Sequence, residues 1–278
     1  MTKQLIRSIL AALLVTSTFQ SLAKEQAFKI CADPVNPPVS NKAGKGYENE
    51  IAKLFAEQLQ QPLEYTWFPQ RIGFIRNTLK AYQPETEDFK CDIVMGVPTG
   101  YELTSTTKTY FRSTYVLIYP KNKGWDNIKK ADDIMQLDQS QLEKLRIAMF
   151  DRGPGTTWIH NHGLIDQGIP YQTMTGDGSF NTAMTMDQEF AKDNIDMAIL
   201  WGPTAAYVYS INPDKFVMTP MQSKATMKFD FPISMGVRRK DKELLNQLNQ
   251  LIDNNQDKIT EILRSHNIPL VDEKGQLL

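Results

Sequence analysis

The side chains able to do chemistry in this sequence are scattered rather than grouped. Carboxylates stand at Asp33, Glu48, Glu50, Glu102 and Asp196, and histidines at His160, His162 and His266. Hydrolytic chemistry needs two carboxyls facing one bond, or a nucleophile beside a base. No spacing here spells a Ser-His-Asp, Cys-His or paired-acid motif, so no catalytic residue is assigned. His160 and His162 are two apart in an expected helix and face different sides of it, which makes them a poor metal pair. His266 falls near the end of the last expected helix, where a cation suits the dipole. The sequence implies no metal and no cofactor.

Cys31 and Cys91 are the only cysteines. In an exported chain a small even number is usually oxidised to one bridge, here a structural disulfide. The alternative is a metal or redox pair, but two ligands are too few for structural zinc and the spacing is not CxxC. Export is written at the start: Lys3 and Arg7, an apolar run from Ile9 to Val15, then Ser21-Leu22-Ala23. That pattern reads as a signal peptide over residues 1–23. Its apolar run is far shorter than the roughly 20 residues of a membrane helix, so no membrane insertion is expected. A net charge of −1, well mixed along 278 residues, lacks the field that nucleic acid requires of a partner.

Binding chemistry has more candidates. Gly153-Pro154-Gly155-Thr156-Thr157 sits between an expected strand and helix, where free N–H groups and the helix dipole favour a carboxylate. The same residues also suit a plain turn with Thr156 or Thr157 as the helix cap. Arg112 either enters a cleft or pairs with a carboxylate inside its own lobe. Trp201, before Gly202-Pro203, offers a ring for a ligand or partner, or packs in the core. Tyr47, Tyr101 and Trp158 carry the same two readings, with burial the default.

The elements that must position these groups alternate. Strands are expected at Phe28–Asp33, Leu63–Phe68 and Asp92–Val97, and helices from Gly46 through Leu59 and over Ile72, Ile75, Leu79 and Tyr82. Strand, helix, strand, helix, strand specifies an α/β unit with a parallel sheet. Ligands bind such sheets beyond the carboxyl ends of the strands, which selects the loops Asp33–Gly46, Phe68–Gly73 and Val97–Leu103. A second alternation follows the strand Tyr115–Tyr119 and a polar stretch, Lys121–Lys144. It has strands at Arg146–Phe150 and Ile195–Trp201, helices at Thr156–Gln167 and from Pro203, a strand at Ile233–Val237 and a long amphipathic helix.

Several segments together resemble one family. They are Cys31-Ala32-Asp33-Pro34 with Asn36, Gly46-Tyr47-Glu48-Asn49, Trp67 with Pro69-Gln70-Arg71 and Gly73-Phe74, Cys91 through Pro98, Tyr110–Tyr115, and Trp201-Gly202-Pro203. The chain resembles the quinoprotein-dehydrogenase-associated, periplasmic-binding-protein-like group of MxaJ, MoxJ and XoxJ proteins. The resemblance implies a type II periplasmic binding protein fold: two α/β lobes around a central cleft, joined by two crossover segments. Lobe one would hold residues 24–120 and 233–278 and lobe two residues 121–232, with crossings near Tyr119–Asn122 and Phe229–Ser234. It further implies a periplasmic, non-catalytic accessory role in assembly, activation or maintenance of a PQQ-dependent methanol dehydrogenase. That quinoprotein and its cytochrome c would be the partners.

The wider amino-acid-binding relatives clamp their ligand with an arginine in lobe one and an acid in lobe two. Here Pro98-Thr99-Gly100-Tyr101-Glu102-Leu103 has no arginine, and the strand ending in Trp201 continues Gly202-Pro203 without an acid. The alternative function is therefore a receptor for a small ligand that is not an amino acid, such as a carboxylate. Cleft candidates are Asp33, Tyr47, Glu48, Arg71, Pro98, Thr99, Tyr101, Arg112, Gly155, Thr156, Thr157 and Trp201. Lys121–Lys144 is the leading candidate for a partner surface, because a long extra loop on a rigid scaffold more often serves function.

Overall fold

The computed structural model describes residues 26–173 and 178–278, so the expected signal peptide lies outside the described residues. The chain begins with β1 (Phe28–Ala32), a hairpin of β2 (Val35–Asn36) and β3 (Ser40–Asn41), and α1 (Tyr47–Leu59). It continues through β4 (Leu63–Trp67), α2 (Phe74–Asn77), a second hairpin of β5 (Tyr82–Gln83) and β6 (Asp88–Phe89), β7 (Ile93–Pro98) and β8 (Ser105–Thr106). β1 lies between β4 and β7, parallel to both, as the alternation requires.

β9 (Phe111–Pro120) leads into the second alternation: α3 (Gln139–Lys144), β10 (Ile147–Phe150), α4 (Pro154–Asn161), β11 (Gly168–Tyr171), α5 (Thr182–Ala191), β12 (Met197–Trp201), α6 (Gly202–Ile211) and β13 (Phe216–Pro220). β14 (Asp230–Val237) and α7 (Lys242–Ser265) return to the first lobe. The strands form one hydrogen-bonded path, β11-β10-β12-β9-β14-β7-β1-β4. This is the type II periplasmic binding fold, two α/β lobes meeting at β9 and β14.

Pairing changes hands inside β9. Phe111 to Thr114 pair with β14, whereas Tyr115 to Ile118 pair with β12. The first crossing thus lies between Thr114 and Tyr115, earlier than the expected Tyr119–Asn122, and Tyr115–Pro120 belong to the second lobe's sheet. The apolar run Tyr115–Tyr119 could not show this, because strand continuity hides a change of partner. The second crossing falls at Phe229–Asp230: Phe229 joins the second lobe's core, and Asp230 to Ile233 pair with β9.

Burial explains the runs. Along β9, Val116 and Ile118 face one cluster and Leu117 and Tyr119 another, so this strand is covered on both faces and reads as continuously apolar. The first lobe's core joins Ile30, Ile51, Phe55, Ile93 and Met95 to Leu248, Ile252, Ile259 and Leu263 of α7. The helix expected over Ile72–Tyr82 is a single turn. Thr78 donates its hydroxyl to the Phe74 carbonyl, and the chain then turns into the β5–β6 hairpin. Phe74, Ile75 and Leu79 still pack together, around the Cys31–Cys91 disulfide, while Ile72 is 90% exposed. The helix expected over Thr156–Gln167 stops at Asn161, with one 3-10 turn at Ile165–Gln167.

Candidate functional site: the interlobe cleft

Two adjoining cavities occupy the cleft. The larger, about 260 Å³, is bounded in the first lobe by Asp33, the β2–β3 hairpin and Pro69-Gln70-Arg71, and in the second by Thr173, Asn181 and Thr182. The smaller, about 100 Å³, lies under Trp201 and Tyr115 against Arg152, Gly153, Gly155 and Thr156. Thr173, Thr182 and Thr204 border both. Among the described residues the walls thus offer hydroxyls, amides, two guanidinium groups and one carboxylate.

That carboxylate is already engaged. Asp33 Oδ1 accepts from the Val35 N–H at 2.7 Å and Oδ2 from the Gln70 N–H at 2.5 Å, so it shapes two loops. Asn36 joins the lobes. Its Nδ2 donates to Gln70 Oε1 at 3.0 Å, and its Oδ1 accepts from Asn181 Nδ2 at 2.9 Å. Asn181 Nδ2 also donates to the Pro37 carbonyl at 3.2 Å, while its Oδ1 caps α5 through the Met184 N–H. One amide therefore caps a second-lobe helix and bridges to the first lobe beside the larger cavity.

Glu48 lies in α1 behind this wall, nearly excluded from solvent. Its carboxyl rests on Gly96 of β7, where any Cβ would come within 2.3 Å of Glu48 Oε1. Burial, reinforced by the negative charge of Asp33, pushes its pKa up to about 8. Glu48 is thus neutral at pH 7, despite a position in the first helical turn that would favour charge.

The other expected residues divide cleanly. Asp33, Arg71, Gly155, Thr156 and Trp201 border the cavities. Trp201 does so while packing on Tyr115 and Phe231, with ring centroids 5.6 and 6.0 Å away. Tyr47 is buried against Phe111 and His266. Tyr101 packs beside the disulfide cluster, Trp158 is buried under a stacked His162, and Pro98 is exposed at the end of its strand. Thr99 hydrogen-bonds Ser234 at 2.7 Å, away from both cavities. Neither Thr156 nor Thr157 caps α4: their hydroxyls donate to the Phe150 and Gly153 carbonyls, and Gly153 is the cap residue. Thr157 lies outside the cavities.

Arg112 borders neither cavity. Its Nη1 reaches Asp230 Oδ2 at 2.7 Å, linking the two crossing strands beside Ser223. Burial works to raise the Asp230 carboxyl, and Ser223 and Arg112 outweigh it and hold it low. Arg112→Met should therefore cost about 2–3 kcal/mol in urea unfolding, because it strands a nearly buried carboxylate. A loss below about 0.5 kcal/mol would show the pair to be incidental. Asp196, another carboxylate weighed for chemistry, is forked by Arg146 at 2.8 and 3.0 Å. Glu50 accepts from His266 at 2.8 Å. These acids are structural, and no group of three or more metal-ligating side chains occurs among the described residues.

Sequence reasoning missed Asn181, Thr173, Thr182, Thr204 and Arg152. The usable signal was the N-cap pattern Asn181-Thr182 before a weakly amphipathic stretch. Lys121–Lys144 proves partly packed: Ile128 and Ile134 are buried in the second lobe, and Asp132 binds Lys224 at 2.9 Å.

No family model matches the chain. Protein MoxJ of Paracoccus denitrificans is 23% identical over 264 residues, 90% of this chain and 91% of that protein. The crystal structure of periplasmic binding protein XoxJ from Methylobacterium extorquens AM1 superposes with a TM-score of 0.69 at 27% identity, covering 89% of this chain and all of the other. That of MxaJ from Methlophaga aminisulfidivorans MPT gives 0.69 at 26%, covering 88% and 100%.

Proposed function

The chain is of the MxaJ, MoxJ and XoxJ type, and from that premise we propose that it is a non-catalytic periplasmic accessory protein of a methanol-oxidation system. It acts by protein contact in the assembly, activation or maintenance of a PQQ-dependent methanol dehydrogenase, with the dehydrogenase and its cytochrome c as partners. One observation carries this reading beyond likeness. Among the described residues one carboxylate borders the cavities, Asp33, and each of its oxygens already accepts a backbone N–H, so this acid is committed to holding two loops. No second carboxylate that could pair an α-ammonium borders the cavities among the described residues.

Native mass spectrometry of the purified protein with the dehydrogenase and the cytochrome tests this. A complex with either partner is expected, reinforced by crosslinks to one face. Absence of any complex or crosslink at concentrations of tens of micromolar, about those of weak specific pairs, sinks the reading. The uncapped first turn of α4 beside Arg152 favours a second reading, a receptor for a small carboxylate. A thermal-shift series with small acids and PQQ would then raise the melting temperature, and a flat series rules it out.

A further inference from the structure

The second lobe is anchored in the first from behind the hinge. Gly202, the first residue of α6, has no room for a side chain. A Cβ there would meet Pro269 Cγ and Ser113 Oγ at 2.5 Å and the Thr114 carbonyl at 2.6 Å. Those three contacts come from the segment after α7 and from the crossing strand β9. One turn further along α6, Ala206 is wholly buried inside the first lobe's core, and Trp201 packs against the same core.

The segment Ile268–Leu278 completes the anchor. Ile268 and Leu270 are buried in that core. Leu270 bridges to Ser113, whose hydroxyl donates to the Pro269 carbonyl at 2.7 Å, and the Val271 N–H donates to the Arg112 carbonyl at 3.1 Å. The chain then turns back on itself, Val271 bridging to Leu277, and brings Gly275 beside Asp230 on the other crossing strand. This one segment therefore touches both crossings and the start of a second-lobe helix.

Rotation of one lobe about β9 and β14 would pull Ala206 from an apolar core and part Gly202 from Pro269. Beside the larger cavity, the Asn181–Asn36 contact is a further tie between the lobes. We propose that residues 268–278 are a strap that fixes the interlobe angle, so that the protein presents a preformed surface rather than a jaw that opens and closes. The inference stands on the hinge alone and does not depend on the identity of any partner.

Distance measurements between spin labels on Lys42→Cys and Gln188→Cys, one exposed position in each lobe, test it in the full chain. The intact protein should give one narrow distribution. Deleting residues 271–278, or wedging the contact with Gly202→Ala, should add a second, longer population. Ser113→Ala, which removes one hydrogen bond, should broaden the distribution less and provides a well-folded comparison. Two populations in the intact protein, or a single unchanged distribution in all variants with native circular dichroism, would overturn the proposal.

Discussion

Glu48→Gln should make the protein more stable at neutral and alkaline pH, by about 3 kcal/mol at pH 7 and about 5 kcal/mol at pH 9. The folded protein holds Glu48 protonated until about pH 8, whereas the ordinary value is 4.5. Between those values the unfolded chain gives up a proton that the folded chain keeps. Stability is therefore undiminished below the ordinary value, falls as pH rises through the window, and levels off above pH 8. Glutamine copies the shape of the neutral acid and titrates nowhere, so the difference between the two proteins isolates this one group. Urea unfolding at pH 4.5, 6, 7, 8 and 9 should give curves that coincide at the acid end and diverge upward. Parallel curves would mean that Glu48 is charged in the folded state. Burial is the larger cause, and the negative neighbour that adds to it, Asp33, is one that the cleft loops require, because both its oxygens hold backbone N–H groups. The penalty on Glu48 thus follows from how the first lobe builds its cleft wall.

Much of this was legible in the sequence, and the exceptions have physical causes. β1, β7, β10, β12 and α7 were readable because burial on one or both faces writes a clear apolar period. β11 and β13 were missed, since Gly168-Ile169-Pro170-Tyr171 and Phe216–Pro220 lie at margins of the sheet and need few buried side chains. α2 was overread because Ile72, Ile75, Leu79 and Tyr82 recur at helical spacing, although only Ile75 and Leu79 are buried. In the cleft, Asp33, Arg71 and Trp201 are legible from topology because they stand at or beyond strand ends, whereas Arg152, beyond β10, is not singled out. Asn36 and Asn181 carry no pattern that marks them as facing each other, because their meeting depends on the interlobe angle. That angle is set by Gly202, Ala206 and Pro269, residues whose significance lies in how little space they take.

Replacing both Cys31 and Cys91 by alanine should lower stability by about 4 kcal/mol while leaving the fold in place. The two residues are separated by 60 positions, a loop that contains α1, β4, α2 and both hairpins of the first lobe. In the chain-entropy model, cutting such a loop frees the unfolded chain by about that amount. The native geometry has other support. β1 and β7 pair directly through Ile30 with Ile93 and Cys31 with Val94, and Arg238 donates to the Cys91 carbonyl at 2.7 Å and the Leu79 carbonyl at 3.2 Å. The loss should therefore appear mainly as slower folding, with a smaller rise in the unfolding rate from the space left beside Phe74, Ile75 and Leu79. Chevron analysis of the oxidised, reduced and double-alanine proteins separates the two contributions. A double variant within about 1 kcal/mol of the oxidised protein would show that the unfolded first lobe is already compact enough to need no closure.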